Sequence, residues 1–186
     1  MALLDIIKAP DPRLKKISRP VEKVDAEIAQ LMDDMLETMY LAPGVGLSAP
    51  QVGILKRVIV VDVSKDEDNR LPVRMANPEI VWASDEMFEY EEGCLSLPEH
   101  YAEVSRPEKV RIRYLDRQNE IREMETEGLL AVCLQHEMDH LDGILFVDHL
   151  SKLKRDTILR KLAKLKKQEE KERRKSGSRQ KVAAGA

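Results

Sequence analysis

The pentad His136-Glu137-Met138-Asp139-His140 constrains this sequence more than any other feature. On a helix, residues four apart share a face, so both imidazoles can reach one metal ion. Glu137 lies beside them, where its carboxylate can exchange protons with water at the metal. The same helical face is otherwise apolar, and two histidines buried without partners would be costly. That face carries Leu129, Val132, Cys133, His136 and His140.

A catalytic site of this kind needs three protein ligands and an open position, and the residues after His140 do not supply the third. Phe146 stands where one known pattern has a further histidine, and the later glutamates, at 169, 170 and 172, lie in a charged tail. His149 falls where a helix cap is expected. Upstream, Cys94 is the best candidate, because Gly and Pro break its segment into a loop that can aim a side chain. A buried free thiol and a disulfide with Cys133 remain alternatives.

A third segment, GVGLSAPQ at residues 44–51, places two glycines where a backbone can approach a ligand closely. It is not a phosphate loop, since no Gly-Lys-Ser/Thr follows. Alone, it is more simply a turn from a helix to a strand. The amide of Gln51 could donate to an oxyanion or could tie down the loop.

The hydrophobic pattern predicts an α+β fold, with antiparallel strands around a central metal-binding helix and a helix at each end. Asp25 and Thr126 are predicted to cap helices that end near Leu41 and Leu141, and the last helix starts near His149. Aromatic residues make up only 4% of the chain, so the core is expected to consist of Leu, Ile, Val and Met. Strands are predicted at 57–63, 73–76, 79–83, 86–90, 110–114 and 121–124.

Charge divides the chain into an acidic body and a basic end. Residues 1–150 hold 17 basic and 30 acidic residues, whereas residues 151–186 hold 14 basic and 4 acidic ones. We expect a catalytic domain over 1–166 and a basic, disordered tail over 167–186. No apolar run reaches membrane-spanning length and the N-terminus does not resemble a signal peptide, so the expected location is the cytoplasm.

Three segments, in this order, resemble the peptide deformylases of the bacterial, iron-dependent type. They are GVGLSAPQ at 44–51, EGCLS at 92–96 and QHEMDH at 135–140, and the resemblance covers residues 1–165. One departure is Ser48, where the family more often has alanine. The added hydroxyl could form a hydrogen bond beside Gln51.

The resemblance implies a role for each matching residue. Cys94, His136 and His140 would hold the metal, which in this family is Fe²⁺, with Zn²⁺, Ni²⁺ or Co²⁺ able to replace it. Glu137 would act as general base and acid, and the Gln51 side chain and the Leu95 N–H would stabilise the oxyanion. Glu92 and Arg106 would form a structural ion pair behind the metal loop. The substrate peptide would pair with Gly46, and its methionine would enter a pocket lined by Val45, Tyr90, Leu129, Val132 and Cys133.

The implied reaction removes the N-formyl group from the formyl-methionine of nascent chains, by attack of metal-activated water on the formyl carbon and release of formate. The resemblance also implies that the basic C-terminal helix and tail meet the ribosome. Two alternatives stay open from the residues alone. One is a metalloprotease of internal peptide bonds. The other is a structural metal module that binds RNA, with His100 or His149 as a fourth ligand.

Overall fold

The computed structural model of the protein describes the backbone of residues 2–183, and the side chains of that range except those of 67, 169, 170 and 172–183. Its helices are α1 (Ala26–Leu41), α2 (Gly128–Leu141) and α3 (Lys152–Ala183). Its strands are β1 (Gly46–Ser48), β2 (Val58–Val61), β3 (Val73–Ala83), β4 (Met87–Cys94), β5 (Leu97–Pro107), β6 (Lys109–Leu115) and β7 (Ile121–Glu127). All pairings between these strands are antiparallel, which confirms the predicted α+β class.

The strands form two sheets. Five of them pair in the order β1-β2-β3-β6-β7, and β4 pairs with β5 in a separate hairpin. The two predicted segments at 73–76 and 79–83 join into the single strand β3, which has a register shift between Ala76 and Glu79. Asn77 lies in that shift with a positive φ, and its side chain bonds both backbone groups of Val21. An asparagine tolerates this conformation, so the irregularity does not end the strand.

The first helix begins as predicted. The Asp25 side chain accepts a hydrogen bond from the N–H of Ile28 at 3.1 Å, which caps the helix. Its apolar face, which includes Met32, Met35 and Met39, packs in one cluster with residues of β1 and β2. This packing fixes the segment that follows the helix and leads to β1.

The second helix begins one residue later than predicted, at Gly128. Thr126 is not its cap, because it lies in β7 and pairs with Val110. Gly128 follows with a φ of +63°, so the chain turns from strand to helix without a separate loop. Ala131, Leu134 and Leu141 on α2 pack against the large sheet in a second core cluster. His136 and His140 are not members of that cluster, and their donor atoms lie close to Cys94 at the end of the hairpin strand β4.

The third helix is longer than the sequence suggests. Apolar residues stop near Lys166, yet the helix runs on to Ala183, whereas we expected disorder from residue 167. Lys, Arg and Glu are good helix formers, and they make up most of this stretch. Residues 184–186 of the predicted tail lie outside the described residues, and the division at 166 stays a prediction. None of the described helices has the length and apolar content needed to cross a membrane.

Candidate active site

Three predicted metal ligands converge between the hairpin and α2. Cys94 is the last residue of β4, and His136 and His140 lie one turn apart on α2. The Cys94 Sγ lies 3.3 Å from His140 Nε2, and one donor atom from each of the three residues lies within 4.8 Å of the others. Both histidines are buried, with exposures of 7% and 1%. The spacing fits one ion held by a sulfur and two nitrogens.

The surroundings of the two histidines shift their pKa values in opposite directions. Burial alone would lower the pKa of His136, but contacts with Cys94 and Glu92 raise that pKa well above its ordinary value. Burial, together with the neighbouring His136, holds the pKa of His140 well below its ordinary value. Acidic neighbours thus favour the charged form of His136, whereas burial and the neighbouring His136 disfavour the charged form of His140. A thiolate and two imidazoles suit Fe²⁺, Zn²⁺, Ni²⁺ or Co²⁺ better than Mg²⁺ or Ca²⁺.

His136 is oriented from behind by Glu92. Its Nδ1 lies 2.7 Å from Glu92 Oε2, which leaves Nε2 for the metal side of the ring. Arg106 donates two hydrogen bonds to the same carboxylate, at 2.5 and 3.0 Å. Burial opposes a charge on Glu92, yet the bonds from His136 and Arg106 lower the pKa of Glu92 to about 2. The predicted pairing of Glu92 with Arg106 is thus present, and it is buried.

Glu137 lies beside the donors with an exposure of only 4%. Burial raises the pKa of Glu137 to about 7, so at neutral pH the carboxyl can both accept and return a proton. A Cβ added at Gly46 would lie 2.4 Å from Glu137 Oε1, which is too close for two atoms that are not bonded. Any side chain at position 46 would therefore displace this carboxylate. Among the described residues, Glu137 Oε2 has no hydrogen-bond partner, which leaves it available to a ligand.

The Gln51 amide is held with its nitrogen toward Cys94. Its Oε1 accepts hydrogen bonds from the N–H and the hydroxyl of Ser48, both at 2.8 Å. Because a backbone N–H can only donate, the oxygen of the amide must face Ser48. The Nε2 then lies 3.2 Å from Ser96 Oγ and 3.5 Å from Cys94 Sγ. The hydroxyl of Ser48 therefore does form the hydrogen bond that the sequence left open.

A cleft of ≈ 560 Å³ opens in front of these groups. It contains the Leu95 turn, and its sides are formed by the predicted substrate-binding residues: Val45, Gly46, Tyr90, Leu129, Val132 and Cys133. Val45 and Tyr90 are partly exposed at its rim, whereas Val132 and Cys133 are buried. Pro98, His100 and Tyr101 also line the cleft, and we did not predict them. They belong to β5, a strand whose Pro, Glu and His obscure the apolar alternation.

The alternative ligands do not join the cluster. His149 Nε2 lies 2.7 Å from Asp139 Oδ2, and His100 Nδ1 lies 2.8 Å from the carbonyl of Pro98. Cys94 and Cys133 are both free, so the disulfide is absent. Within the described part of the chain, the cluster contains only Cys94, His136 and His140. A site with three protein ligands and an adjacent buried carboxyl is the arrangement of a catalytic metal centre.

The fold and the site thus define the class of metal-dependent hydrolases. A family model described as polypeptide deformylase matches residues 3–156. The chain belongs to the peptide deformylase family.

Individual relatives agree. The chain is 57% identical over 164 residues to a peptide deformylase of Phenylobacterium zucineum, covering 88% of this chain and 97% of that protein. It is 58% identical over 170 residues to one of Methylocella silvestris, covering 90% and 87%. The crystal structure of peptide deformylase from Ehrlichia chaffeensis in complex with actinonin has a TM-score of 0.84 at 42% identity, covering 88% of this chain and 98% of that one.

Proposed function

We propose that this peptide deformylase acts at the base of the cleft, with Cys94, His136 and His140 as the ligands of one metal ion. The enzyme is a metal-dependent amide hydrolase that removes the N-formyl group from the N-terminal formyl-methionine of nascent polypeptides. The observation that supports the site is the convergence of the three donor atoms within 4.8 Å, beside the buried Glu137 carboxyl.

We propose Fe²⁺ as the native ion, with Zn²⁺, Ni²⁺ or Co²⁺ as replacements that the same donor set accepts. When bound, such an ion acts as a Lewis acid and lowers the pKa of water. His136 contributes Nε2, because its Nδ1 is engaged by Glu92. Cys94 contributes a thiolate from the end of β4, where the hairpin turn fixes its direction.

Glu137 moves the protons of the reaction. It accepts a proton from the attacking water. It then gives this proton to the nitrogen of the substrate amide, so that the bond to the formyl carbon breaks and formate and the free amine are released. A pKa of about 7 suits both steps, since the carboxyl is then neither fully ionised nor fully protonated at neutral pH. The Glu137 side chain is buried between α2 and Gly46 of β1, which keeps the carboxyl in one position during both proton transfers.

The oxyanion on the formyl carbon is stabilised by two donors from different segments, the Nε2 of Gln51 and the N–H of Leu95. Ser48 orients the Gln51 amide, and Leu95 lies in the turn between β4 and β5. A donor of this type is worth about 3–4 kcal/mol of barrier when it is removed.

The cleft also selects the substrate. The methionine side chain packs between Val45, Tyr90, Leu129, Val132 and Cys133, and the peptide backbone pairs with Gly46 at the edge strand β1. A formyl carbon carries only a hydrogen besides its amide group, so it fits the narrow base of the cleft where larger acyl groups do not.

The test of the catalytic assignment is Glu137→Gln, with metal content and formate release from formyl-Met-Ala-Ser as the readouts. We expect one metal per chain as in the wild type, and a rate lower by about 10²–10⁴-fold. Glu89→Gln, an exposed change on β4, is the control. Near-normal activity in Glu137→Gln would contradict the role of this carboxyl in proton transfer. Cleavage of an unformylated, internally quenched peptide would instead favour a protease.

We propose further that residues 1–166 form the catalytic unit and that the basic end contacts ribosomal RNA, which places the enzyme in the cytoplasm. Leu162 of α3 is buried against the body, with Ile158 and Leu159 partly buried beside it. The many Lys and Arg residues of α3 leave a positive surface for a polyanion.

Deletion of residues 167–186 tests this contact. Ribosome binding should weaken and become less dependent on salt, because the deletion removes 7 of the 14 basic residues of this end and fewer phosphates are neutralised. Formate release from formyl-Met-Ala-Ser should stay at the wild-type rate. Ribosome affinity that does not change on deletion would contradict the proposed contact.

A further inference from the structure

A line of hydrogen-bonded side chains runs from the His136 ring to the protein surface. It passes from His136 Nδ1 to Glu92 at 2.7 Å, and from Glu92 to Arg106 at 2.5 Å. It continues from Arg106 Nη1 to Asp139 Oδ2 at 2.9 Å, and ends at His149 Nε2, 2.7 Å from the same oxygen. We infer that His149 is a positioning residue for the metal ligand His136. This inference rests on the proposed metal ligation.

Asp139 is the point at which His149 acts. Its Oδ2 accepts hydrogen bonds from both Arg106 and His149, so the carboxylate is held from two sides. The Asp139 side chain is 21% exposed, whereas that of Arg106 is only 5% exposed. Without His149, the carboxylate keeps a single partner and can turn toward water.

Arg106 transmits the position of Asp139 to the metal side. Its guanidinium is planar, and its donors have a fixed geometry. Nε and Nη2 grip the Glu92 carboxylate while Nη1 meets Asp139. A displaced Asp139 therefore lets the guanidinium plane rotate, and Glu92 and the His136 ring rotate with it.

The segment that carries His149 also contacts the metal ligand His136 directly, through Phe146. A 3-10 helix spans Phe146–His149, and the Phe146 ring stacks on the His136 ring with centroids 6.2 Å apart. Phe146 is 1% exposed, which fixes the segment against the site. Because α3 begins three residues after His149, this segment joins the C-terminal helix to the metal ligand.

The test measures how fast the full-length, Zn²⁺-loaded protein loses its metal to excess chelator. Loss of a direct hydrogen-bond partner of a metal ligand costs roughly 10–100-fold in affinity. His149 is four contacts away from His136, so His149→Leu should accelerate metal loss by about threefold to tenfold. His149→Gln should restore the wild-type rate, because the Gln amide nitrogen can occupy the place of the imidazole Nε2. Lys152→Leu, an exposed change at the start of α3, is the control.

Two further readouts separate positioning from general stability. The visible spectrum of the Co²⁺-substituted Leu variant should differ from that of the wild type, while the spectrum of the Gln variant should not. The contact between His149 and Asp139 is partly exposed to solvent and contributes little to stability, so the midpoint of urea unfolding of the metal-free proteins should be nearly the same for Leu and Gln. The inference is overturned if the Leu variant loses metal at the wild-type rate, or if the Gln variant loses it as fast as the Leu variant. A wild-type chain that binds no Zn²⁺ would instead overturn the proposed ligation itself.

Discussion

The hydroxyl of Ser48 donates a hydrogen bond to Oε1 of Gln51 at 2.8 Å, beside a second one from the Ser48 N–H. Both residues are fully or nearly fully buried, with exposures of 0% and 1%. The two bonds fix which end of the Gln51 amide faces the proposed oxyanion. The orientation of the proposed oxyanion donor is thus set by a residue three positions earlier in the same segment.

Ser48→Ala should slow catalysis without abolishing it. The backbone N–H of Ser48 remains, so the amide keeps its orientation but loses one of two restraints. A neutral hydrogen bond is worth about 0.5–1.5 kcal/mol, which corresponds to a decrease in kcat of about twofold to tenfold. KM should change little, because the amide acts on the transition state. Equal kcat values for variant and wild type would show that the hydroxyl is dispensable.

Glu92→Gln should weaken metal binding and folding together. The change leaves His136 without its charged partner and leaves the buried Arg106 with only Asp139 as a carboxylate partner. We expect metal affinity to fall roughly 10–100-fold. Breaking a buried ion pair from one side costs about 3–5 kcal/mol of unfolding free energy.

A surface pair provides the matched control for Glu92→Gln. Arg111 and Glu125 pair at 2.7 Å with both side chains about half exposed. Glu125→Gln should therefore change the unfolding free energy by less than about 1 kcal/mol and leave metal binding intact. If Glu92→Gln changed the free energy of unfolding as little as Glu125→Gln does, the buried position of the Glu92–Arg106 pair would not make it more stabilising than a surface pair.

The two cysteines should differ in reactivity. Burial, with the nearby carboxylates of Glu137 and Glu92, raises the pKa of the Cys133 thiol to about 12. The thiolate is the reactive form, so Cys133 should resist iodoacetamide in the folded protein. Cys94 is partly exposed in the cleft and should be alkylated once a chelator has removed the metal. Mass spectrometry of digests would identify the labelled residue, and labelling of Cys133 before Cys94 would contradict this description.

The hydrogen bond between Tyr40 and Asp62 predicts that the protein becomes less stable at acidic pH. The Tyr40 hydroxyl donates to Asp62 Oδ2 at 2.6 Å, and burial raises the pKa of Tyr40 to about 12. Burial would raise the pKa of Asp62, but hydrogen bonds from Ser64 and Tyr40 hold it below its ordinary value. The stabilisation is therefore full above the unfolded pKa of about 3.9 and is lost as the pH falls through the lower folded pKa.

Tyr40→Phe tests that dependence. At pH 7 the variant should lose about 1.5–3 kcal/mol of unfolding free energy, because the carboxylate loses a donor. The gap between variant and wild type should narrow as the pH drops below about 3.9. Urea unfolding across this range measures it, with Tyr101→Phe, whose side chain is exposed, as the control. A gap that stays constant with pH would mean that the charge of Asp62 is not involved.

The sequence predicts the site better than the surrounding scaffold, for physical reasons. The spacing of His136 and His140 follows from helix geometry. No residue after His140 is a suitable third ligand, which makes Cys94 the best upstream candidate, and the resemblance to the family then implies the full ligand set. Strand β5 escaped prediction because its side chains are mixed, and its pairing with β4 depends on a tight turn at Leu95. The contact between Asp139 and His149 links two elements that only tertiary packing brings together.

The start of α2 shows the same limit on a smaller scale. Thr126 has the chemistry of a helix cap, but the pairing of β7 with β6 uses its backbone instead. Gly128 then makes the turn with a positive φ that the sequence pattern did not reveal. The local sequence pattern predicted a helix in the right region. The residue at which α2 begins is determined by the pairing of β7 with β6.

The most direct measurement combines metal analysis with formate release on protein purified without oxygen. The wild-type chain should hold one Fe²⁺ and release formate from formyl-Met-Ala-Ser, with the activity falling on exposure to air as the thiolate-ligated iron oxidises. Cys94→Ala should lose both the metal and the activity while it stays folded. Full activity in a metal-free wild-type chain, or in Cys94→Ala, would contradict the assignment of Cys94, His136 and His140 as the catalytic metal centre.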